Sequence, residues 1–531
     1  MANKNILLIE PGYRNKYPPL GLMKLAQYHG PQGKQDTVRF IKGEDQSVRG
    51  TAWDRIYITT LFSFEWARTA RSIDYALELA SNQAHRIFVG GIAASLMHEQ
   101  FLAEPRWRGI RFIKGLLGQA PAHSLELDPF EEELYADDVA STPIEDMVPD
   151  YSILEHIDYT YPVHDAYFTY ASRGCVRKCA FCGVPKLEGV QRDTNSLTTV
   201  VGGISALYGD KRDLILMDNN VVASAKFKEI VAEIIDLGFG RGATLRRGRY
   251  DIQRRVDFNQ GVDARILCRD PMFLRELARI AIKPLRIAFD HLGVKKPYTQ
   301  AVRYAAGAGL TDLSNYMLYN FHDSPADLFE RMRLNVTLNE ELGIRIFSFP
   351  MRYQPVTLPN RGHVGRKWNS YYLRSMQMIL QATHGIVSGA PDFFRSAFGD
   401  TYDEFESILM RPHHYIFNRS WYEQHEGRAE YDEYRAAMAA LDADERAELL
   451  DYLCGRDRRS YEMDLTTLAP GPLRETARHF VPLPKDEETD IWEAQRRRRN
   501  RNNLALVPED ERVEDAGLTD EDVQPVHNRA M

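Results

Sequence analysis

Cysteine is scarce in this chain, with five in 531 residues, at positions 175, 179, 182, 268 and 454. So few thiols make no disulfide framework, and they point to a reducing compartment where thiolates stay available to metal. Long apolar runs are missing as well. No stretch reaches the roughly 18 consecutive apolar residues of a membrane span, and the first run, Ile6–Ile9, meets Glu10 at once and is too short for a signal peptide. Charge of one sign is not in excess: a net charge of -8 with 27% charged residues gives no global push toward nucleic acid or an anionic membrane. There is no repeat of solenoid period. What these absences leave is a cytoplasmic globular protein of two or three domains, with neither membrane nor nucleic acid favoured as a partner.

What is present begins with alternating strand and helix signals. Asn5–Ile9, ended by Pro11 and Gly12, reads as a buried parallel strand, followed by a helical stretch to His29. Thr37–Ile41, Arg55–Thr60, Arg86–Val89 and Ile110–Lys114 read as further strands, with a helix over Trp66–Ala80. This rhythm predicts a Rossmann-like doubly wound sheet over residues 1–125. No G-x-G-x-x-G follows the first strand, so a dinucleotide site is not supported. Residues 126–164, acidic and containing Pro129, Pro143 and Pro149, read as a linker.

A second β/α series starts at Tyr167–Ser172 and continues with Leu214–Met217, Val256–Gln260, Leu285–Phe289, Asn315–Tyr319 and Ile344–Phe349. The later strands recur at about the thirty-residue length of one β-α repeat. Phe227, Ile230, Val231, Ile234 and Ile235 mark one face of a helix between two of them. Six such units over residues 165–355 fit a partial (β/α)6 barrel, where reactive groups sit on the loops after the strands. Residues 356–480 read as a mainly helical extension, with helices over Trp368–Ala382, Asp403–Arg411 and Tyr431–Leu453. From about Pro482 the chain is poor in apolar residues, and 481–531 reads as a disordered tail.

Three of the five cysteines fall in one loop, S-R-G-C-V-R-K-C-A-F-C-G over Ser172–Gly183. Cys175, Cys179 and Cys182 stand in a C-x3-C-x2-C pattern directly after the first strand of the second series. Thiolates at this density select iron–sulfur clusters or zinc over hard cations. Structural zinc takes four protein ligands, commonly as two spaced pairs. Here Cys268 and Cys454 stand alone, so zinc is the lesser reading. Three thiolates leave one iron of a four-iron cluster without a protein ligand.

This motif, with Phe181 before its last cysteine and Ser172-Arg173-Gly174 before its first, resembles the signature of radical S-adenosylmethionine (SAM) enzymes. The resemblance covers roughly residues 165–355. It implies a [4Fe–4S] cluster on the three cysteines, SAM on the open iron, and reductive cleavage to a 5'-deoxyadenosyl radical that takes hydrogen from a substrate. It also implies an electron donor such as flavodoxin or ferredoxin. Phe181 would lie near the adenine, or be core. The L-L-I-E-P-G start, the P-P-L-G-L helix entry and the V-G-G-I turn are similar to the N-terminal domain of cobalamin-binding members. The D-x-H-x-x-G motif of an axial histidine is missing, and His29, His85 and His98 lack its context. A degenerate domain that shapes a substrate pocket is therefore favoured over cobalamin, with a cobalamin-dependent methylase as the alternative.

Polar residues at the other strand ends extend the candidate cofactor site. Met217, Asp218, Asn219 and Asn220 stand where the family places the turn that receives the methionyl amino group, with Asp218 and Asn219 as the candidate contacts, although this chain lacks the usual G-G-E form. Gln260, Asp263 and Arg265 resemble the third-strand segment of the cobalamin-type subgroup and are candidates for SAM contacts, or for capping the next helix. Asn320 and Arg352 follow the fifth and sixth strands; Asn320 is a candidate for ribose hydroxyls or substrate and Arg352 for adenine. Asp323 or Ser324 is the expected helix N-cap before Pro325. Arg241–Arg255 holds six arginines around Tyr250, a composition that suits phosphate or RNA. An exposed loop is the plainer account. A zinc-bearing, non-catalytic RNA-binding module built on that segment and the tail is the reading from a different class.

Overall fold

The short apolar runs of the N-terminal part line up as a buried parallel sheet. A computed structural model of the chain describes residues 3–117, 143–194, 196–387, 389–456 and 460–506. Strands β1 (Asn5–Glu10), β2 (Thr37–Lys42), β3 (Arg55–Thr60), β4 (Ile87–Gly91) and β5 (Arg111–Phe112) form one sheet in the order β2-β1-β3-β4-β5. All its pairings are parallel. This order is the flavodoxin-like variant of the doubly wound sheet, whose ligands sit beyond the carboxyl ends of β1 and β3. Leu7, Ile9, Ile58 and Val89 pack against Phe101 and Trp107 in a core that is almost wholly closed to solvent. The helices Leu20–His29 and Trp66–Leu79 lie where the sequence places them. His29 is core: its Nδ1 is 2.8 Å from Asp36 and its Nε2 3.2 Å from the Tyr57 hydroxyl.

Of the expected linker, residues 126–142 lie outside the described residues. From Pro143 the chain is tied to the first sheet's layer. The Asp150 amide donates to the Met23 carbonyl at 2.9 Å, and the Tyr161 hydroxyl donates to Glu10.

The second series follows. Strand β6 (Ala166–Thr169) leads into the short hairpin of β7 (Ser172–Arg173) and β8 (Arg192–Asp193), and β9 (Asp213–Leu216) comes next. A hairpin of β10 (Thr244–Arg247) and β11 (Tyr250–Gln253) precedes β12 (Arg255–Phe258), and β13 (Leu285–Arg286), β14 (Asp312–Tyr319) and β15 (Arg345–Arg352) complete the series. Strand β9 lies between β6 and β12, parallel to both, and β13 is parallel to β14. Parallel bridges Val256–Ile282 and Val262–Ile287 continue the order from β12 toward β13. All six main strands form at the predicted places. Arg286 on β13 makes a two-pronged ion pair with Asp257 on β12 (2.8 and 2.7 Å), both side chains being almost closed to solvent.

Two stretches that the sequence reads as irregular form regular elements. The arginine-rich stretch is a regular antiparallel hairpin turning at Gly248 and Arg249, not a loop. Its alternating side chains are nearly all exposed, so no apolar periodicity announces it. The tail carries a helix over Lys485–Leu506. Three acids in its first turn favour the helix dipole, and Ile491 is buried while Gln495 donates to Asn418 at 2.8 Å. Residues 507–531 of the expected tail lie outside the described residues.

The chain divides into two compact units. The first takes in the five-stranded sheet and the second series up to Tyr316 in β14, apart from Asp290–Leu292, with Tyr353–His363 added. The second holds the remainder and is mainly helical. Within it, Ser324 accepts from the Asp327 amide at 3.2 Å, and Asp327 accepts from the Ser324 amide at 2.8 Å. That capping box starts the helix Pro325–Leu342 and settles the N-cap on Ser324. The expected helix over Tyr431–Leu453 is two helices, Arg428–Ala440 and Ala443–Cys454, because Asp442 and Glu445 form a second capping box. Among the described residues, no helix is long and apolar enough to cross a membrane.

Candidate active site

The cysteine loop starts at a position only glycine fills. Gly174 has φ +78°, and a Cβ there would stand 2.4 Å from the Val190 carbonyl oxygen, so a side chain meets both backbone strain and a clash. The Gly174 amide donates to Glu188 (2.8 Å), and the Cys175 amide donates to the Gly189 carbonyl (3.2 Å). Glu188 also accepts from the Asn219 side chain at 2.8 Å and lies 3.2 Å from the Arg173 guanidinium. These bonds close the loop back on itself. At Gly183 the loop approaches the first sheet's layer, where a Cβ would lie 2.8 Å from a terminal methyl of the Leu96 side chain.

Cys175, Cys179 and Cys182 form no disulfide, and each is half-buried. Two of the sulfurs face hydrogen-bond donors: the Arg177 amide donates to Cys175 Sγ and the Val184 amide to Cys182 Sγ, both at 3.4 Å. Among the described residues, no three His, Cys, Asp or Glu side chains converge as a single metal ion requires. A four-iron cluster makes a different demand, because each thiolate binds its own iron. Three accessible thiols on one loop, two of them with backbone amides on their sulfurs, are a donor set that fits such a cluster.

Asp218 lies beneath the loop and is only 1% exposed. Its carboxylate accepts from the Ala171 amide (2.9 Å) and from the Ser172 amide and hydroxyl (2.5 and 2.7 Å). Burial pushes its carboxyl up to about 6, although those donors pull the other way. Its observed work is to fasten the strand that feeds the cysteines.

Asp263 is the N-cap of the helix Ala264–Leu267, accepting from the Arg265 amide at 2.9 Å. Its two oxygens are further held by Arg177 (2.5 Å) and Arg265 (2.8 Å). Burial raises its carboxyl, but the bonds from Arg265 and Arg177 outweigh that and leave it lowered. Burial pulls Arg265 down, while the pair with Asp263 and the contact with Cys179 outweigh it and raise it. Of the two roles weighed for Asp263 from sequence, capping is the one its contacts show.

Phe181 is half-buried within the loop, Asn219 is half-buried beside it, and Gln260 is exposed at the end of β12. Asn320 and Arg352 belong to the second unit. There Asn320 is closed to solvent, has φ +70°, and accepts from the Gly365 amide at 2.7 Å. Arg352 ends β15 and is half-buried.

Sequence reading missed two participants, Arg177 and Gln191, and left Asn220 in its turn without a role of its own. Arg177, one of the unspecified positions of the motif, turns out to link the loop to Asp263. Asn220 is 2% exposed and receives the Asp263 amide at 3.2 Å, leaving its Nδ2 without a partner. Gln191 donates to the Asn220 carbonyl at 3.1 Å, and its buried Oε1 has no partner either. An orphaned donor and an orphaned acceptor at one strand end mark a place where a polar ligand is due.

No family model matches the chain, and no curated protein matches it. Similar solved structures include the radical S-adenosylmethionine methyltransferase TsrM from Kitasatospora setae with cobalamin and a [4Fe-4S] cluster bound. It is 13% identical with TM-score 0.41, over 67% of this chain and 77% of that one. The same protein with tryptophan substrate and a SAM analog bound is 13% identical with TM-score 0.43, over 71% of this chain and 76% of that one.

Proposed function

We propose that this chain is a radical SAM enzyme with its cluster on Cys175, Cys179 and Cys182. One observation carries the reading: three half-buried thiols share a loop directly after the first strand of a β/α series, with backbone amides donating to the sulfurs of Cys175 and Cys182. When bound, a [4Fe–4S] cluster and SAM supply one-electron reductive cleavage to a 5'-deoxyadenosyl radical, which takes a hydrogen atom from the substrate. The chain's own residues hold and orient. Gly174 and Glu188 set the loop, Asp218 anchors its approach, and the Arg177–Asp263–Arg265 network fixes its far side. Asn220 and Gln191 offer a buried donor and acceptor to the amino-acid end of SAM, and Phe181, Asn219 and Gln260 are the further residues assigned to it. The electron comes from a flavodoxin or ferredoxin.

Anaerobic reconstitution with iron and sulfide is expected to give a brown protein with about four irons per chain. Reduced with dithionite and given SAM, it should release 5'-deoxyadenosine. A reconstituted protein with no four-iron signal, or with a cluster but no such cleavage, would sink the reading.

A second reading adds cobalamin, and one feature favours it. At the carboxyl edge of the first sheet, Phe62 (37%) and Ile92 (40%) are exposed large apolar residues beside the glycine ends of β4. Such an edge is where flavodoxin-like sheets take ligands. His29 offers no axial ligand, being tied to Asp36 and Tyr57. Hydroxocobalamin is expected to stay with the protein through gel filtration with a shifted absorption spectrum. An unshifted spectrum and separate elution would remove cobalamin.

A further inference from the structure

The cysteine loop carries an exposed face that its ligating role does not use. Over residues 172–192 the exposed side chains, Ala180 apart, are Val176, Lys178, Lys186, Val190 and Arg192. Val176 is 50% exposed and Val190 74%. The two stand side by side, because the Cys175 amide donates to the Gly189 carbonyl at 3.2 Å and each valine is the next residue of that bonded pair. Arg192 reaches back over the same turn, donating to the Glu188 carbonyl at 3.0 Å. Lys186 belongs to the helix Val184–Leu187, whose Val184 carbonyl accepts from the Gly189 amide at 3.2 Å. Five bases stand against one acid in this stretch, in a chain whose net charge is -8. That acid, Glu188, is 10% exposed and turned inward to Arg173, Gly174 and Asn219. The face is therefore an apolar pair with a wholly basic rim, and what fits it is apolar at its centre and acidic around it. Cys175 directly precedes Val176 and Cys179 directly follows Lys178, so a partner here sits against the backbone of two cluster ligands.

We propose that this face is the docking surface for a small acidic one-electron carrier protein. The proposal rests on the cluster reading above and adds where on the chain the electron enters. Electron transfer needs close approach and quick release more than tight binding, and a small apolar contact with a charged rim provides both. The reduced carrier is oxidised by one electron and the cluster is reduced by one, with no bond formed between the proteins. The chain's other basic patch, the hairpin over residues 244–253, does not suit this task. It precedes β12 and so stands at the amino ends of the parallel strands, whereas the cysteine loop follows the carboxyl end of β6. Its Arg246 and Arg247 are also paired, with Asp251 at 3.3 Å and Asp165 at 3.0 Å.

The test uses the reconstituted full-length protein without SAM, with a reduced flavodoxin and a reduced ferredoxin, both acidic, as probes. Stopped-flow absorbance reads the rate of cluster reduction against carrier concentration and salt. For the parent chain the second-order rate with at least one carrier should fall as salt rises, because salt screens charge steering. Lys178→Glu, Lys186→Glu and Arg192→Glu together should lower that rate about tenfold at low salt, with most of the gap closing at high salt. Iron content and the extent of reduction by excess dithionite should stay as in the parent. Where the triple reversal lowers iron, the neutral set Lys178→Gln, Lys186→Gln and Arg192→Gln is read in its place, with a smaller loss expected. A control chain with Arg241→Glu, Arg246→Glu and Arg249→Glu makes the same change in net charge at other exposed residues and should keep the parent rate. A parent chain that forms no cluster overturns the cluster reading. A parent cluster that neither carrier reduces, a loop variant reduced as fast as the parent, or an equal loss in the control chain overturns this inference alone.

Discussion

A chain with Cys175, Cys179 and Cys182 all replaced by alanine is expected to take up no iron–sulfur cluster, where the parent chain takes up about four irons. The argument is one of donor number. Among the described residues no group of three His, Cys, Asp or Glu side chains is placed to hold a single metal ion in the cysteines' stead. The two remaining cysteines are apart from the loop's thiols in sequence, and Cys268 Sγ hydrogen-bonds the Arg265 carbonyl at 3.6 Å. A variant lacking Cys268 and Cys454 should therefore reconstitute like the parent. A single Cys179→Ala change should also lose the cluster, since two thiolates remain. The fold itself should survive these changes, because trimming a half-exposed loop side chain costs only about 0.5 kcal/mol. Iron analysis and visible absorption read the first effect, and circular dichroism the second. Cluster absorbance surviving in the triple variant would place the metal elsewhere.

The parts legible in the sequence were those with a repeating signal. Buried parallel strands such as Ile6–Ile9 and Leu214–Leu216 are unbroken apolar runs between turn residues, and both lie where such runs predict. The cysteine loop was legible because its spacing is itself the signal. The strand order was not, since local patterning does not say which parallel strand neighbours which, and the flavodoxin-like order emerged only from the pairing. Polar residues at strand ends were the hardest. Asp218, Asp263 and Asn320 each look like ligand contacts, but their oxygens are aimed at backbone amides or arginines of the chain. The partners that decide this lie far off in sequence: Asp218 meets Ser172, Asp263 meets Arg177, and Asn320 meets Gly365. A polar residue after a strand announces that something is bound, without saying whether it is substrate or backbone. Asn220, with its orphaned donor, would have been found by asking which of three adjacent polar residues the loop leaves unsatisfied.

Asp218→Ala is expected to destabilise the protein and to lower its iron content, with a cost that depends on pH. Removing the carboxylate strands two buried amides, those of Ala171 and Ser172, at about 1–3 kcal/mol each, and frees the segment that feeds the cysteines. Against a typical folding stability of about 5–15 kcal/mol this is a large change. The same carboxyl is pushed from 3.8 up to about 6 by burial. The folded state therefore binds more protons than the unfolded one between those values, and the native side chain's contribution is complete below pH 3.8. It falls as pH rises through about 6, by about 3 kcal/mol in all from a shift of roughly two units. Alanine cannot titrate, so the stability gap between parent and variant should be widest near pH 4 and narrow toward pH 7. Urea denaturation of both proteins at these two pH values measures the gap directly, because titrations elsewhere in the chain cancel in the difference. A gap that stays constant with pH would mean that Asp218 is ionised throughout, its hydrogen bonds having outweighed the cost of burying its charge.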